Sequence, residues 1–235
     1  MTERGMIFNA EMVRALLDGR KTQTRRIIQS AAKNMQARGH EVISHREPGD
    51  RWYGDHVYSM RDRSGVWQDF TNEEFLAKCP FGVVGDRIWV REAFRVMGCA
   101  TDVARLMYKA SERNSFTEST CTVPVASCTK QPSHKWTPSI HMPRWASRLT
   151  LEITNVGVQR LQSISQNDAA REGLVRLPAS GRYCINQGDQ YFGGASHDAR
   201  EVFSWLWSSI YGDDSWQANP WVWVIEFRRV DGEAV

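Results

Sequence analysis

The chain alternates apolar and polar residues most cleanly at three places. Arg87-Ile88-Trp89-Val90-Arg91-Glu92, opened by the turn signal Gly85-Asp86, reads as a half-buried strand. Leu149, Leu151 and Ile153, with Thr150, Glu152 and Thr154 between them, read as a second, continued by Val156 and Val158 with a twist or bulge expected at Gly157. Pro220 to Phe227 is apolar at nearly every position, which predicts a strand covered on both faces. Shorter strands are expected at Met6 to Phe8 and near Leu106 to Tyr108. Helical spacing marks three further segments. Met12, Leu16 and Leu17 follow the cap residue Asn9 and stop at Gly19. Ser165 starts a short helix through Glu172, closed by Gly173. Residues from about His197 to Ile210 place Val202, Phe203, Leu206 and Ile210 on one face. Residues 29–79 read as polar loops with a hairpin around Arg51 to Gln68, and residues 96–135 carry little regular pattern. Strands and helices do not alternate regularly, which disfavours a doubly wound parallel sheet. The expectation is an α+β domain: a small closed or nearly closed β-barrel with helices at its ends.

Composition narrows the classes. The chain has 235 residues, 41% hydrophobic and 24% charged, as globular domains do. No apolar run is long enough for a membrane helix, and the start MTERGMIFNAEMVR predicts no secretory leader. Five cysteines without a CxxC pair fit reduced thiols, so a cytoplasmic location is expected. The net charge of +3 argues against nonspecific coating of nucleic acid, leaving local clusters to supply any such role. Ten Trp, six Tyr and nine Phe are enough for a heavy core or for rings that stack on bases.

The signatures of phosphate-binding loops, dinucleotide folds, serine hydrolases, zinc peptidases and zinc deaminases are absent. No cofactor is implied, and the scattered histidines suggest no metal. The densest chemistry is Arg20-Lys21-Thr22-Gln23-Thr24-Arg25-Arg26, with four cations and two hydroxyls. A lysine beside threonines can bind phosphate by its charge or, as a desolvated neutral amine, take a proton from a hydroxyl nucleophile. A solvated basic turn is the plain alternative. Glu92, Glu172 and Glu226 are the candidate acids, and periodicity does not choose among them. Residues 135–148 hold Lys135, Trp136, Arg144, Trp145 and Arg148. They could form a platform that stacks bases and grips phosphates, or a capped core with arginines facing water.

These parts together resemble the ASCH domain, a PUA-like β-barrel, in a longer form similar to uncharacterised phage and prophage proteins. The resemblance rests on the first helix, Gly19-Arg20-Lys21-Thr22-Gln23-Thr24-Arg25-Arg26, GDRIWVRE, PSIHMPRWASR, the strand over 149–154, Asp168-Ala169-Ala170-Arg171-Glu172-Gly173, and NPWVWVIEF. It implies one domain over 1–235 with loop-rich insertions near 27–84, 93–135 and 173–197. Small bacterial ASCH proteins remove the acetyl group from N4-acetylcytidine, and their functional lysine, threonine and glutamate correspond to Lys21, Thr24 and Glu172. The resemblance thus implies an amidohydrolase acting on an N4-acylated cytidine or related pyrimidine, with Lys21 as base, Thr24 as nucleophile and Glu172 at the leaving nitrogen. Arg26, which also matches the family element, would steady developing negative charge or anchor the substrate, with Arg20, Arg144 and Trp136 as further substrate contacts. The expected partner is a modified nucleoside or single-stranded RNA, with no membrane. Two alternatives stand beside it: a module that binds RNA or a modified base without catalysis, and a nuclease for single-stranded RNA. The lysine can act as a base only where burial or neighbouring cations outweigh Glu172.

Overall fold

Asn9 fixes the first boundary by its own chemistry. Its side chain accepts from the Met12 amide at 2.8 Å, satisfying a donor that a helix start leaves unpaired. Helix α1 (Ala10–Leu17) thereby follows β1 (Glu3–Ile7). It ends at Gly19, where φ of +72° suits a residue without a Cβ. The computed structural model describes residues 1–112 and 114–230; residue 113 and residues 231–235 lie outside that description.

The remaining strands are β2 (Gln23–Ile27), β3 (Ile43–His45), β4 (Tyr58–Arg61), β5 (Trp67–Phe70), β6 (Arg87–Arg91), β7 (Phe94–Cys99) and β8 (Val103–Tyr108). After them come β9 (Thr120–Pro124), β10 (Thr150–Arg160), β11 (Val175–Arg176), β12 (Tyr183–Cys184), β13 (Ala195–Ser196) and β14 (Trp221–Val230). The other helices are α2 (Lys33–Ala37), α3 (Asn72–Leu76), α4 (Phe116–Ser119), α5 (Gln166–Arg171) and α6 (Ala199–Tyr211).

The main sheet runs β1-β6-β10-β14-β2, with β1 parallel to β6 and every other pair antiparallel. Central β14 is covered on both sides, as its nearly continuous apolar run predicts. Trp223, Ile225 and Phe227 face a core shared with α1, α3, Ile88, Leu151 and Ile153. Val222 and Val224 face a second core built by α6, Leu161 and Ala169. The α+β class is therefore seen directly. A closed barrel is not: among the described residues no ladder joins the edge strands β1 and β2. A side chain spans that seam instead. Arg26 Nη2 donates to the Ile7 carbonyl at 2.8 Å, and its guanidinium lies 5.4 Å from the Phe8 ring centre.

Residues 27–84, 93–135 and 173–197 are more ordered than a loop-rich reading implies. Each contains a small three-stranded antiparallel sheet: β3-β4-β5, β7-β8-β9 and β11-β12-β13. Two local expectations are also corrected. The bulge in β10 falls between Ile153 and Asn155 rather than at Gly157. Ile210 is 39% exposed, and Trp207 takes the buried place on the α6 face. Among the described residues no helix is long and apolar enough to cross a membrane.

Candidate active site

Two backbone contacts bring the basic turn to α5. Lys21 N donates to the Ala15 carbonyl at 3.0 Å, holding the turn against α1, and Thr22 N donates to Arg171 O at 3.0 Å. An isolated antiparallel bridge then pairs Lys21 with Glu172. The approach is close enough to demand glycine next door. Gly173 has φ of +107°, and a Cβ there would lie 2.7 Å from Ala15 Cβ and 3.1 Å from Lys21 Cβ. At the other end of α5, Ser165 accepts from the Asp168 amide and starts the helix.

Lys21 Nζ donates to Glu172 Oε2 at 2.7 Å and to the Glu172 carbonyl at 2.9 Å. Arg25 Nη1 donates to the other carboxylate oxygen, Oε1, at 2.9 Å. One carboxylate thus serves two cations, with the three side chains 0 to 2% exposed. Asp168 lies 4.0 Å from Arg25 on the more open side. With its amide oriented to satisfy both of its polar atoms, Gln159 accepts from Arg25 Nη2 and Nε at 2.9 and 3.0 Å. Gln23 Nε2 completes the cluster by donating to Asp168 O at 2.6 Å.

Burial is the largest influence on the Lys21 amine and moves its pKa below the ordinary lysine value. Glu172 opposes the shift by charge and hydrogen bond, while Arg26 and then Arg25 reinforce it. Desolvation prevails in the conflict between these influences. The arrangement suits proton transfer: an amine disfavoured as a cation, touching a carboxylate, at the edge of a sheet.

Thr24 stands apart from this contact. It lies opposite Ile225 in the β2–β14 ladder, and Arg25 lies opposite Val224. Directly paired residues share a face, so Thr24 and Arg26 look into the main core while Arg25 looks toward α5. Thr24 is buried, and among the described residues no hydrogen bond joins it to Lys21 or Glu172. The expected three-way meeting is therefore made by Lys21, Glu172 and Arg25. Gln23, Arg25, Gln159 and Asp168 are the members that sequence reading did not assign to the site. The alternation Lys21, Gln23, Arg25 is a signal that could have found two of them; none marks Gln159.

The other candidates are dispersed. Arg20 pairs with Asp18 at 2.8 Å and donates to the Gly173 carbonyl, so it closes over the turn. Arg144 grips Glu3 through two bonds of 2.8 and 2.9 Å on a different face. Trp136 lies under the Arg95 guanidinium at 4.9 Å, and Trp145 packs edge-on against Phe94. Of the candidate acids, Glu92 is held by Arg148 at 2.8 Å and Glu226 by Arg171 at 2.9 Å; Glu172 alone of the three meets Lys21. Among the described residues no group of three or more His, Cys, Asp or Glu is placed to hold a metal ion, and all five cysteines are unpaired. No family model matches the chain, and neither a curated protein nor a solved structure matches it.

Proposed function

We propose that the chain is an amidohydrolase that removes the acyl group from N4-acylated cytidine or a related modified pyrimidine, on a PUA-like barrel left open at one seam. The observation that carries this reading is the buried meeting of Lys21 and Glu172 at 2.7 Å, across 151 positions of sequence. Isolated ionised groups are costly to bury, and a chain that buries three of them in one place has concentrated charge where proton transfer could use it. The GRKTxTxR element and the short helix that carries Glu172 lend the same reading the weight of resemblance. The mixed sheet with short helices at its ends supports the barrel reading.

In this reading the Thr24 hydroxyl, which stands apart from Lys21, passes its proton to that neutral amine through an intervening water while its oxygen attacks the acyl carbon. The carbon–nitrogen bond breaks, the proton passes through Lys21 to the departing amino nitrogen, and Glu172 steadies the ammonium formed in between. Water then cleaves the acyl-threonine ester and releases the carboxylic acid. Arg26, on the same face of β2 as Thr24, would stabilise the oxyanion.

The test incubates the protein with N4-acetylcytidine and, separately, with single-stranded RNA, following both by chromatography. Cytidine formed by wild type and lost in Lys21→Ala and Glu172→Ala is the expected result. RNA cleavage without acetate release would point to the nuclease. Unchanged substrate in every arm would refute hydrolysis and leave the binding module.

A further inference from the structure

Beside the buried pair lies a cavity of about 760 Å³, large enough for a nucleotide. Arg20 and Arg171, the chain neighbours of Lys21 and Glu172, stand in its wall. Most of its charge is already committed. Arg14 pairs with Glu11 at 3.1 Å and Arg20 with Asp18 at 2.8 Å. Arg171 donates to Glu226 at 2.9 Å and to Thr22 Oγ1 at 3.1 Å. Arg176 differs from these three. It lines the cavity, is exposed, and its guanidinium makes no hydrogen bond or ion pair among the described residues.

Its position in the fold adds a second group. Arg176 of β11 is directly opposite Tyr183 of β12, so the guanidinium and the phenol leave the hairpin on the same side, and Tyr183 lines the same cavity. An uncommitted guanidinium next to an aromatic ring suits a phosphate attached to a flat base: the cation takes the anion, and the ring offers a face to stack on. Tyr191 and Phe192, 80% and 91% exposed, follow in the same insertion and offer further rings.

Resting on the hydrolytic reading, we propose that Arg176 and Tyr183, carried on the β11–β12 hairpin, select a phosphate-bearing nucleotide over a free nucleoside. Arg176 is the phosphate anchor and Tyr183 the ring beneath the base. A mononucleotide and an RNA strand share this chemistry, and the test separates them.

Acetate release is measured with N4-acetylcytidine, its 5′-monophosphate and a short RNA carrying the same base, for wild type, Arg176→Ala and Arg182→Ala. The expected KM for the phosphorylated substrates is lower than for the nucleoside by about tenfold, the scale of one charge-assisted hydrogen-bonding contact near a surface. Arg176→Ala should bring that ratio toward one. Arg182→Ala, whose guanidinium meets Ser180 outside the cavity wall, should keep it. A further fall in KM for the RNA assigns the phosphate to a strand; equal values assign it to a mononucleotide. Equal KM for nucleoside and nucleotide in wild type, or a ratio untouched by Arg176→Ala, overturns the proposal. If no substrate releases acetate, the hydrolytic reading fails, and calorimetry with cytidine and cytidine 5′-monophosphate tests recognition alone. A preference for the monophosphate that Arg176→Ala abolishes upholds the hairpin's role, and no preference overturns it.

Discussion

Replacing Glu172 by Gln keeps the shape of the side chain and removes the carboxylate that touches both Lys21 and Arg25, at 2.7 and 2.9 Å. Both cations have side chains at most 1% exposed, so water cannot replace the lost charge. The new amide also turns a donor toward one of them. Removing one partner of a buried pair costs about 3–5 kcal/mol. For a domain of this size each kcal/mol shifts Tm by about 2–4 °C, so a fall of about 6–20 °C is expected at pH 7. The pH dependence has a definite sign. The Lys21 pKa is lowered chiefly by burial, and Glu172 is the main influence raising it. Without Glu172 it must fall further. Between that folded value and the ordinary lysine value the unfolded chain binds more protons, so stability rises with pH. The deficit of Glu172→Gln should therefore shrink from pH 7 toward pH 10. Circular dichroism melts across that range, with Lys21→Met and the double variant, give the full cycle. A coupling of about 1–3 kcal/mol is expected between touching charges. A Tm loss under about 2 °C, a deficit that grows with pH, or additivity within about 0.5 kcal/mol would refute the reasoning.

Thr24→Val keeps a buried, branched side chain and deletes the hydroxyl, so acetate release should drop at least about 100-fold with little change in Tm. Retained turnover would assign the attack to water. Gly173→Ala puts a methyl 2.7 Å from Ala15 Cβ at φ of +107°, and should cost about 2–4 kcal/mol in denaturant titration. Gly85→Ala, at φ of +88° with nothing within 4 Å, isolates the backbone strain and should cost about 1 kcal/mol; equal losses would contradict the close approach at Gly173. Asp86 accepts from the Thr2 amide, Arg4 and the Val83 amide, which lower its pKa to about 2. A lowered carboxylate contributes stability above its ordinary value and loses it as pH falls toward the folded one. Wild type should therefore lose on the order of 1 kcal/mol, after allowance for solvent screening, between pH 4 and 2. Asp86→Asn should lose less over that interval, and parallel curves for the two proteins would exclude this residue as the cause.

Sequence alone determined the elements whose causes are local. Asn9 and Gly19 bracket α1 because a cap and a glycine satisfy helix ends wherever the chain goes, and Ser165 and Gly173 do the same for α5. The nearly continuous apolar run of β14 required two cores, and two are found. Lys21 and Glu172 were marked by residue type and resemblance. Only the tertiary structure decided the rest, because it depends on which residues are brought opposite one another. The strands within residues 173–197 are two residues long and carry no alternation long enough to read, so pairing alone defines them. The face taken by Thr24 follows from its register against Ile225, which a local pattern does not contain. Arg25, Gln159 and Asp168 join the site through strand pairing and helix packing across more than 130 positions. Whether Lys21 is held by one carboxylate or surrounded by cations is likewise a property of the folded chain, since charge and burial act through space.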